Sequence, residues 1–295
     1  MSHLESMIAV DILTGNLRQK TGDVSAVFLK GARKILDIYR SWGLKSNVDL
    51  STFTPVVHKK GGDKVASFFT LGVDSFYTLV THIDEIDDII YIHGFEEMLS
   101  KNVRKEAEEK VILIAKYFNK TPIIIKSDIR KIIDKHVSWQ LYGHGPALAS
   151  IGLEREHQYK KIYIAATYVP GYAVKNASNP QTDPLWSTET LEFIHDGTVT
   201  RLEKIKSLAA HQYALDLLRV CYQGSTYNCS RCEKCVRTMI SLRLLGLSSA
   251  AFGEMPSLTH ISKLCNKAKG TAAWPVWMQN VIEAQRFLSA LKGQM

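Results

Sequence analysis

The stretch Val65-Ala66-Ser67-Phe68-Phe69-Thr70-Leu71-Gly72-Val73-Asp74-Ser75-Phe76-Tyr77 decides the fold. Its first five residues, Val65 to Phe69, form an apolar run with two aromatics, the composition of a buried strand. Ser75 to His82 then follows a helical spacing, so a strand enters a helix across a short turn that holds Gly72. Working outward, Ile89 to Ile92 is a second short apolar strand ending at His93 and Gly94, and a charged amphipathic helix is expected near Asn102 to Phe118. The β-branched run Pro122 to Ile125 gives a third strand, and a helix is expected around Ile129 to His136. A loop at Tyr142 to Pro146 leads into a helix through about His157, a strand at Ile162 to Ala165, and a fifth strand at Leu191 to Ile194. Strands alternating with helices predict an α/β fold with a doubly wound parallel sheet, whose ligands sit at the carboxyl ends of the strands.

Three segments follow. Residues 1–60 are an N-terminal helical or extended segment, with an amphipathic helix between Asp23 and Trp42. Residues 61–200 carry the α/β domain, and residues 201–295 read as helical around one Cys-rich loop, with Pro256 and Pro275 at helix starts or breaks. The 295 residues are 45% apolar and 22% charged, which excludes collagen-like, low-complexity and wholly disordered classes. No run approaches the roughly 18 consecutive apolar residues that span a bilayer. The N-terminus lacks a basic region followed by an apolar run and a small-residue cleavage site, and five Cys do not make a disulfide framework in a chain of this size. A cytoplasmic location with reduced thiols is therefore expected.

Charge is distributed unevenly. Residues 1–200 hold 24 Lys and Arg against 24 Asp and Glu, while residues 201–295 hold 13 against 5. The whole excess of +8 lies in the last third, which suits the phosphates of a nucleotide or a nucleic acid and equally suits a solvated basic face.

The turn after the first strand has the means to hold phosphate. Gly72 lets the backbone come close to a ligand, the Thr70 and Ser75 hydroxyls can donate to phosphate oxygens, and a helix N-terminus offers free N–H groups at its positive end. Asp74 would repel phosphate unless Mg²⁺ or a donor pair intervenes, or unless it caps the helix behind it. Neither a Walker P-loop nor a dinucleotide-binding fingerprint occurs in the chain.

At Cys221, Cys229, Cys232 and Cys235 the spacing is Cys-X7-Cys-X2-Cys-X2-Cys. Four thiolates suit Zn²⁺ tetrahedrally and leave no open position, so the site would be structural. Buried free thiols, an iron–sulfur cluster or a redox Cys-X-X-Cys pair are the alternatives. Cys265, on a helical stretch, reads as a core residue.

Thr70-Leu71-Gly72-Val73-Asp74-Ser75 resembles the Ser-Gly-Gly-X-Asp-Ser signature of the PP-loop ATP pyrophosphatase superfamily, with Leu71 where the signature has its first Gly. The stretch from Cys221 to Arg237 is similar to the zinc-binding tail of the 7-cyano-7-deazaguanine synthase family, itself a PP-loop family. The two resemblances, in the same order, cover about Val65 to Arg243. The family's substrate-binding pattern is missing around Gly143 to Pro146 and Asn179 to Trp186, so its deazapurine substrate is not carried over.

The resemblance implies a sheet of the HUP (adenine nucleotide alpha hydrolase-like) type and an enzyme that splits ATP into AMP and pyrophosphate. It would adenylate a carboxylate or amide oxygen of a small molecule for attack by ammonia, an amine or a sulfur donor, as a C–N ligase forming an amide or nitrile does. Mg²⁺-ATP would lie on Thr70, Leu71, Gly72, Val73, Asp74 and Ser75, with His93 and Gly94 at the adenosine. Gly197 to Ile205 is similar to the family segment Gly-X-Thr-Lys-X-Glu-Ile, with Arg201 at the Lys position, so Asp74, Ser75 and Arg201 become the catalytic set. As alternatives, Arg201 and Lys204 are a solvated first helical turn, and the chain is a tRNA-thiolating PP-loop enzyme or a non-catalytic zinc-containing module that binds nucleotide or nucleic acid. His195-Asp196 is a candidate acid–base pair, His144-Gly145-Pro146 a candidate pocket loop, and Asp183 a candidate for Mg²⁺, for substrate or for holding a turn. No membrane partner is expected, and a homo-oligomer is compatible with the sequence.

Overall fold

The computed structural model describes residues 3–15, 21–96, 99–167, 175–271 and isolated positions as far as 285. The central sheet has five strands, all paired in parallel: β3 (Lys64–Phe68), β4 (Asp88–His93), β5 (Thr121–Lys126), β6 (Tyr159–Ala165) and β7 (Glu192–Asp196), in the order β5-β4-β3-β6-β7. Upstream, β1 (Gly22–Ser25) and β2 (Phe53–Val56) form a separate parallel pair. The five expected strands all exist, each longer or shifted by a few residues, and the sheet is flanked by helices as the alternation predicted.

Period-2 alternation divides the core. Ala66, Phe68, Ile90, Ile92, Ile162 and Ile164 face one apolar cluster, while Val65, Ile89, Tyr91 and Tyr163 face another. The first cluster is closed by α1 (His3–Thr14), α2 (Ala26–Trp42) and α6 (His144–Leu153). The second is closed by α3 (Val73–Thr81), α4 (Lys101–Tyr117), α7 (Arg201–Ser207) and α9 (Glu233–Leu244). Short helices α5 (Ile129–Ile133) and α8 (Gln212–Asp216) and the terminal α10 (Leu258–Ala268) complete the described set.

The N-terminal segment shares the first cluster with the sheet. Ser25 caps α2 by accepting from the Phe28 N–H at 3.0 Å, and Gly43 ends it at φ +108. Where α2 crosses the 3-10 turn Asp183–Trp186, a Cβ on Gly31 would lie 1.8 Å from the Leu185 carbonyl oxygen, so only glycine allows this approach. Below the sheet, the buried His58 lies 3.2 Å from Glu5 of α1 and 3.2 Å from Glu156, joining the same layers by polar contact.

Two readings need correction. The loop expected at Tyr142 to Pro146 is helical: a single π turn, Trp139–Gly143, runs directly into α6, with Pro146 in its first turn, where a missing N–H costs nothing. The stretch from Asp23 belongs first to β1, because Val24 and Ser25 pair with Pro55 and Val56 before the helix opens at Ala26. Pro256 does precede a helix, one residue before the Ser257 cap of α10, and Pro275 lies outside the described residues.

Close contact at Gly31 gives a direct test of the joint core. Gly31→Ala should destabilise the protein by about 1–3 kcal/mol through overpacking. Gly246→Ala, at φ +67 with nothing within 4 Å, should cost about 1 kcal/mol from backbone strain alone. Urea unfolding of the two variants beside the parent measures the difference, and a Gly31→Ala loss no larger than that of Gly246→Ala would contradict the packing described.

Candidate functional site

The carboxyl end of β3 opens into Phe69 to Gly72, and α3 begins at Val73. Leu71 adopts φ +63, the left-handed conformation that a residue with a Cβ takes at a cost of about 1–2 kcal/mol. Its side chain is fully buried in the second apolar cluster, and burial of a Leu side chain returns about 1.5–3 kcal/mol. The turn therefore keeps a glycine-like backbone while using a leucine. Ser75 is spent inside the turn: its hydroxyl accepts from the Thr70 N–H at 3.2 Å and donates to the Gly72 carbonyl at 3.1 Å. Thr70 stays exposed, and no side chain caps the first N–H groups of α3.

Asp74 does not cap its helix. Its carboxylate takes the Lys204 ammonium at 2.7 Å, and that ammonium also donates to the Ala166 carbonyl, just past β6, at 2.5 Å. Lys204 is 2% exposed. A capping box places it there. Thr200 accepts from the Glu203 N–H at 3.1 Å, and Glu203 accepts from the Thr200 N–H at 2.8 Å, which fixes the start of α7 and turns its first helical turn inward. Burial works against the charged form of Asp74, but Lys204, then Arg201 and Lys234, outweigh it and hold its pKa below the ordinary value of 3.8. The solvated-turn alternative thus fails for Lys204.

Arg201 opens the same helix. Its Nη2 donates to Thr238 of α9 at 2.8 Å, while Nε is buried without a partner among the described residues. Burial lowers its pKa to about 10, opposed by Asp74. Arg219, buried to 4% exposure, grips both oxygens of Glu96 at 2.9 and 2.7 Å, and its backbone N–H donates to the Leu71 carbonyl at 2.8 Å. Sequence reasoning missed Lys204 as a buried cation and Arg219 altogether. The Thr200/Glu203 box was a readable signal for the first; the second has no local signature.

Arg219 leads directly into the cysteine cluster. The four thiols of Cys221, Cys229, Cys232 and Cys235 lie within 4.8 Å of one another, with Cys232 and Cys221 3.8 Å apart. A tetrahedron with zinc–sulfur bonds of about 2.3 Å has edges of about 3.8 Å, so this set could hold a metal ion such as zinc. Backbone N–H groups of Cys232 and Gln223 point at the Cys229 and Cys221 sulfurs at 3.2 and 3.4 Å. The hydrogen bond between Cys232 and Cys235 lowers the first thiol and raises the second, so the pair shares a proton, and burial raises Cys221. Asn228 locks the loop by accepting from the Val220 and Cys221 N–H groups and donating to Leu218 and Ala251. Cys265 is not the core residue expected: it is half-buried and packs, with Ile261 and Leu264, against a third apolar cluster of Val236, Ala268 and Trp277.

The remaining candidates scatter. His93 is held by Glu108 at 2.6 Å and, with Gly94, lines a cleft of about 440 Å³ beside Arg104 and Lys126. Gly94 is required because a Cβ there would lie 1.9 Å from the Ser127 carbonyl oxygen. His195 and Asp196 do not pair with each other: as neighbours on β7 they face opposite sides. Asp196 binds His82 at 2.9 Å and Thr78 at 2.8 Å, whereas His195 binds Asp183 at 2.7 Å. His144 packs against Phe95 and Trp139, and burial, with Arg130 and Lys234, lowers its pKa to about 4. A larger cavity of about 680 Å³, lined by Leu13, Lys45 and Tyr142 among others, includes none of the residues around Asp74.

Two measurements test this geometry. The Asp74–Lys204 pair contributes stability above the unfolded carboxylate pKa of 3.8 and loses it as pH falls through the lower folded value. Lys204→Met, which strands a half-buried carboxylate, should cost about 3–5 kcal/mol at neutral pH, and the gap from the parent should narrow below pH 3.8. Urea titrations at several pH values show it, and a constant gap would remove the pair from that role. For the cluster, elemental analysis should find one thiolate-bound ion such as zinc per chain; Cys232→Ser should lose the ion and lower Tm, and Cys265→Ser should do neither.

No protein-family model matches the chain, no curated protein matches it, and no solved structure matches it.

Proposed function

We propose that the protein is a PP-loop ATP pyrophosphatase that adenylates a carboxylate or amide oxygen of a small molecule. One observation carries the reading. The turn Thr70 to Ser75 combines a left-handed residue, an uncapped helix N-terminus and two basic side chains from α7, at the point where the strand order of a parallel sheet reverses between β3 and β6. In open α/β sheets that crevice is where nucleotides bind. The order β5-β4-β3-β6-β7, with connections leaving β3 to one side and reaching β6 on the other, also supports the HUP-type reading.

In this reading the N–H groups at the start of α3, with the Thr70 hydroxyl, hold the phosphates of ATP, and the half-buried Arg201 offsets charge on the α-phosphate as it is attacked. Asp74 shares its charge with Lys204, which leaves the carboxylate to Mg²⁺ without an isolated negative charge against the phosphates. Magnesium, when bound, supplies charge neutralisation on the leaving pyrophosphate. His93 and Gly94 lie at the end of β4, next to β3, on the adenosine side. Zinc on the four cysteines would be structural, since four protein ligands leave no position for substrate. The packing of Cys265 in an apolar cluster speaks against a persulfide route, which favours nitrogen over sulfur as the nucleophile.

The test is a screen of ATP with mono-, di- and tricarboxylic and heteroaromatic acids, plus ammonium chloride, reading pyrophosphate and AMP. Acid-dependent release of both is expected; release of phosphate and ADP would refute attack at the α-phosphate. Asp74→Asn should lower turnover at least about 100-fold while retaining the metal content of the parent. Absorbance at 260 nm that stays with the purified protein and is removed by ribonuclease would instead favour an RNA substrate.

A further inference from the structure

Asp183 and His195 are brought together from a 3-10 turn and from β7, and both side chains are almost fully buried, at 0% and 5% exposure. The Asp183 Oδ2 accepts from the Ser178 hydroxyl at 2.7 Å and lies 2.7 Å from His195 Nδ1. An ionised Asp183 can only accept, so toward it Nδ1 is the donor, and in the neutral ring the lone pair is then on Nε2. The other carboxylate oxygen, Oδ1, is buried without a partner among the described residues, close to Gly145 at the start of α6. Leaving a buried acceptor unmade costs about 1–3 kcal/mol.

Position adds direction. His195 is the penultimate residue of β7, in register with Ile164 of β6. The next register pair, Ala165 and Asp196, ends beside Ala166, whose carbonyl receives Lys204. The imidazole thus stands at the carboxyl ends of β6 and β7, on the face it shares with Ile164 and across the sheet from α3 and α7, and no described residue hydrogen-bonds its Nε2.

We propose that His195, oriented by Asp183, is the general base that takes a proton from a nitrogen nucleophile, ammonia or a primary amine, as it attacks the adenylated acceptor. This rests on the adenylation reading above. The nitrogen lone pair forms the C–N bond, and the acyl carbon–oxygen bond to AMP breaks with its electron pair leaving on the phosphate. The proton lost by nitrogen passes to Nε2 and from there to solvent, so no redox partner is needed. Asp183 holds the ring and stabilises the imidazolium without taking the proton.

The experiment compares two nucleophiles in the parent and in His195→Gln, which keeps an amide N–H for Asp183 but has no base. With the acid panel and ATP, ammonium chloride reports amide formation, and hydroxylamine, already unprotonated at neutral pH, reports hydroxamate formation without needing a base. The ratio of amide to hydroxamate should fall by about 100-fold or more in His195→Gln, and Asp183→Asn should lower it in the same direction. An unchanged ratio, or equal loss of both products, would overturn the proposal. Diethyl pyrocarbonate supplies a second arm that needs no acceptor: mass spectrometry of the parent should find His195 modified, and an unreactive His195 would also overturn it. Labelled pyrophosphate exchange into ATP separates the failures, since its absence in the parent with every acid sinks adenylation itself, whereas its presence beside an unchanged ratio sinks only the base.

Discussion

A buried ammonium holds the candidate site together. Lys204 joins α7 to the Asp74 carboxylate on α3 and to the carbonyl of Ala166 beyond β6, so one side chain ties the helix after β3, the end of β6 and the helix after β7. A lysine at 2% exposure is tolerated only where its charge is matched and its protons are taken, and here a carboxylate and a carbonyl do both. The consequence is positional: the two strands on either side of the order reversal cannot shift relative to each other without breaking this contact.

The cysteine loop braces the same turn from behind. Arg219 donates its backbone N–H to Leu71, and Thr238 on α9 receives Arg201, while Cys221 lies two residues beyond Arg219 and Cys232 caps α9. An ion held by the four thiols would fix both attachment points at once. A structural metal would in this way decide the shape of the turn between β3 and α3, because the loop that carries the ligands also carries the contacts.

Legibility followed locality. The five strands, their parallel pairing and the cysteine cluster were readable because each rests on short-range spacing: apolar runs of four or five residues, and thiols within fifteen positions of one another. The N-terminal segment was harder, since the merging of α1 and α2 into the core of the sheet depends on contacts such as Gly31 with Leu185 that lie far apart in sequence. His195 shows the same limit. Adjacent residues on a strand point to opposite faces, so His195-Asp196 could not be a pair, and the true partner, Asp183, required the fold to be known. Tyr142 to Pro146 was misread because Gly and Pro usually mark a break, whereas here both sit at the start of a helix that a π turn feeds.

Leu71 bears on how far the family signature should be read as chemistry. A glycine in a phosphate turn serves two purposes, a left-handed backbone and an absence of side chain near the ligand. In this chain the first purpose is met by leucine at φ +63, and the second is met by pointing the side chain away into the apolar cluster with Phe69 and Phe76. The burial of the side chain offsets the backbone cost, so a leucine holds the left-handed conformation there. What the turn offers a ligand is then set by its N–H groups and by Thr70, not by the identity of residue 71. The shape of the turn is thus held by Arg219 at the Leu71 carbonyl and by Ser75 across its ends, not by the absence of a side chain at residue 71.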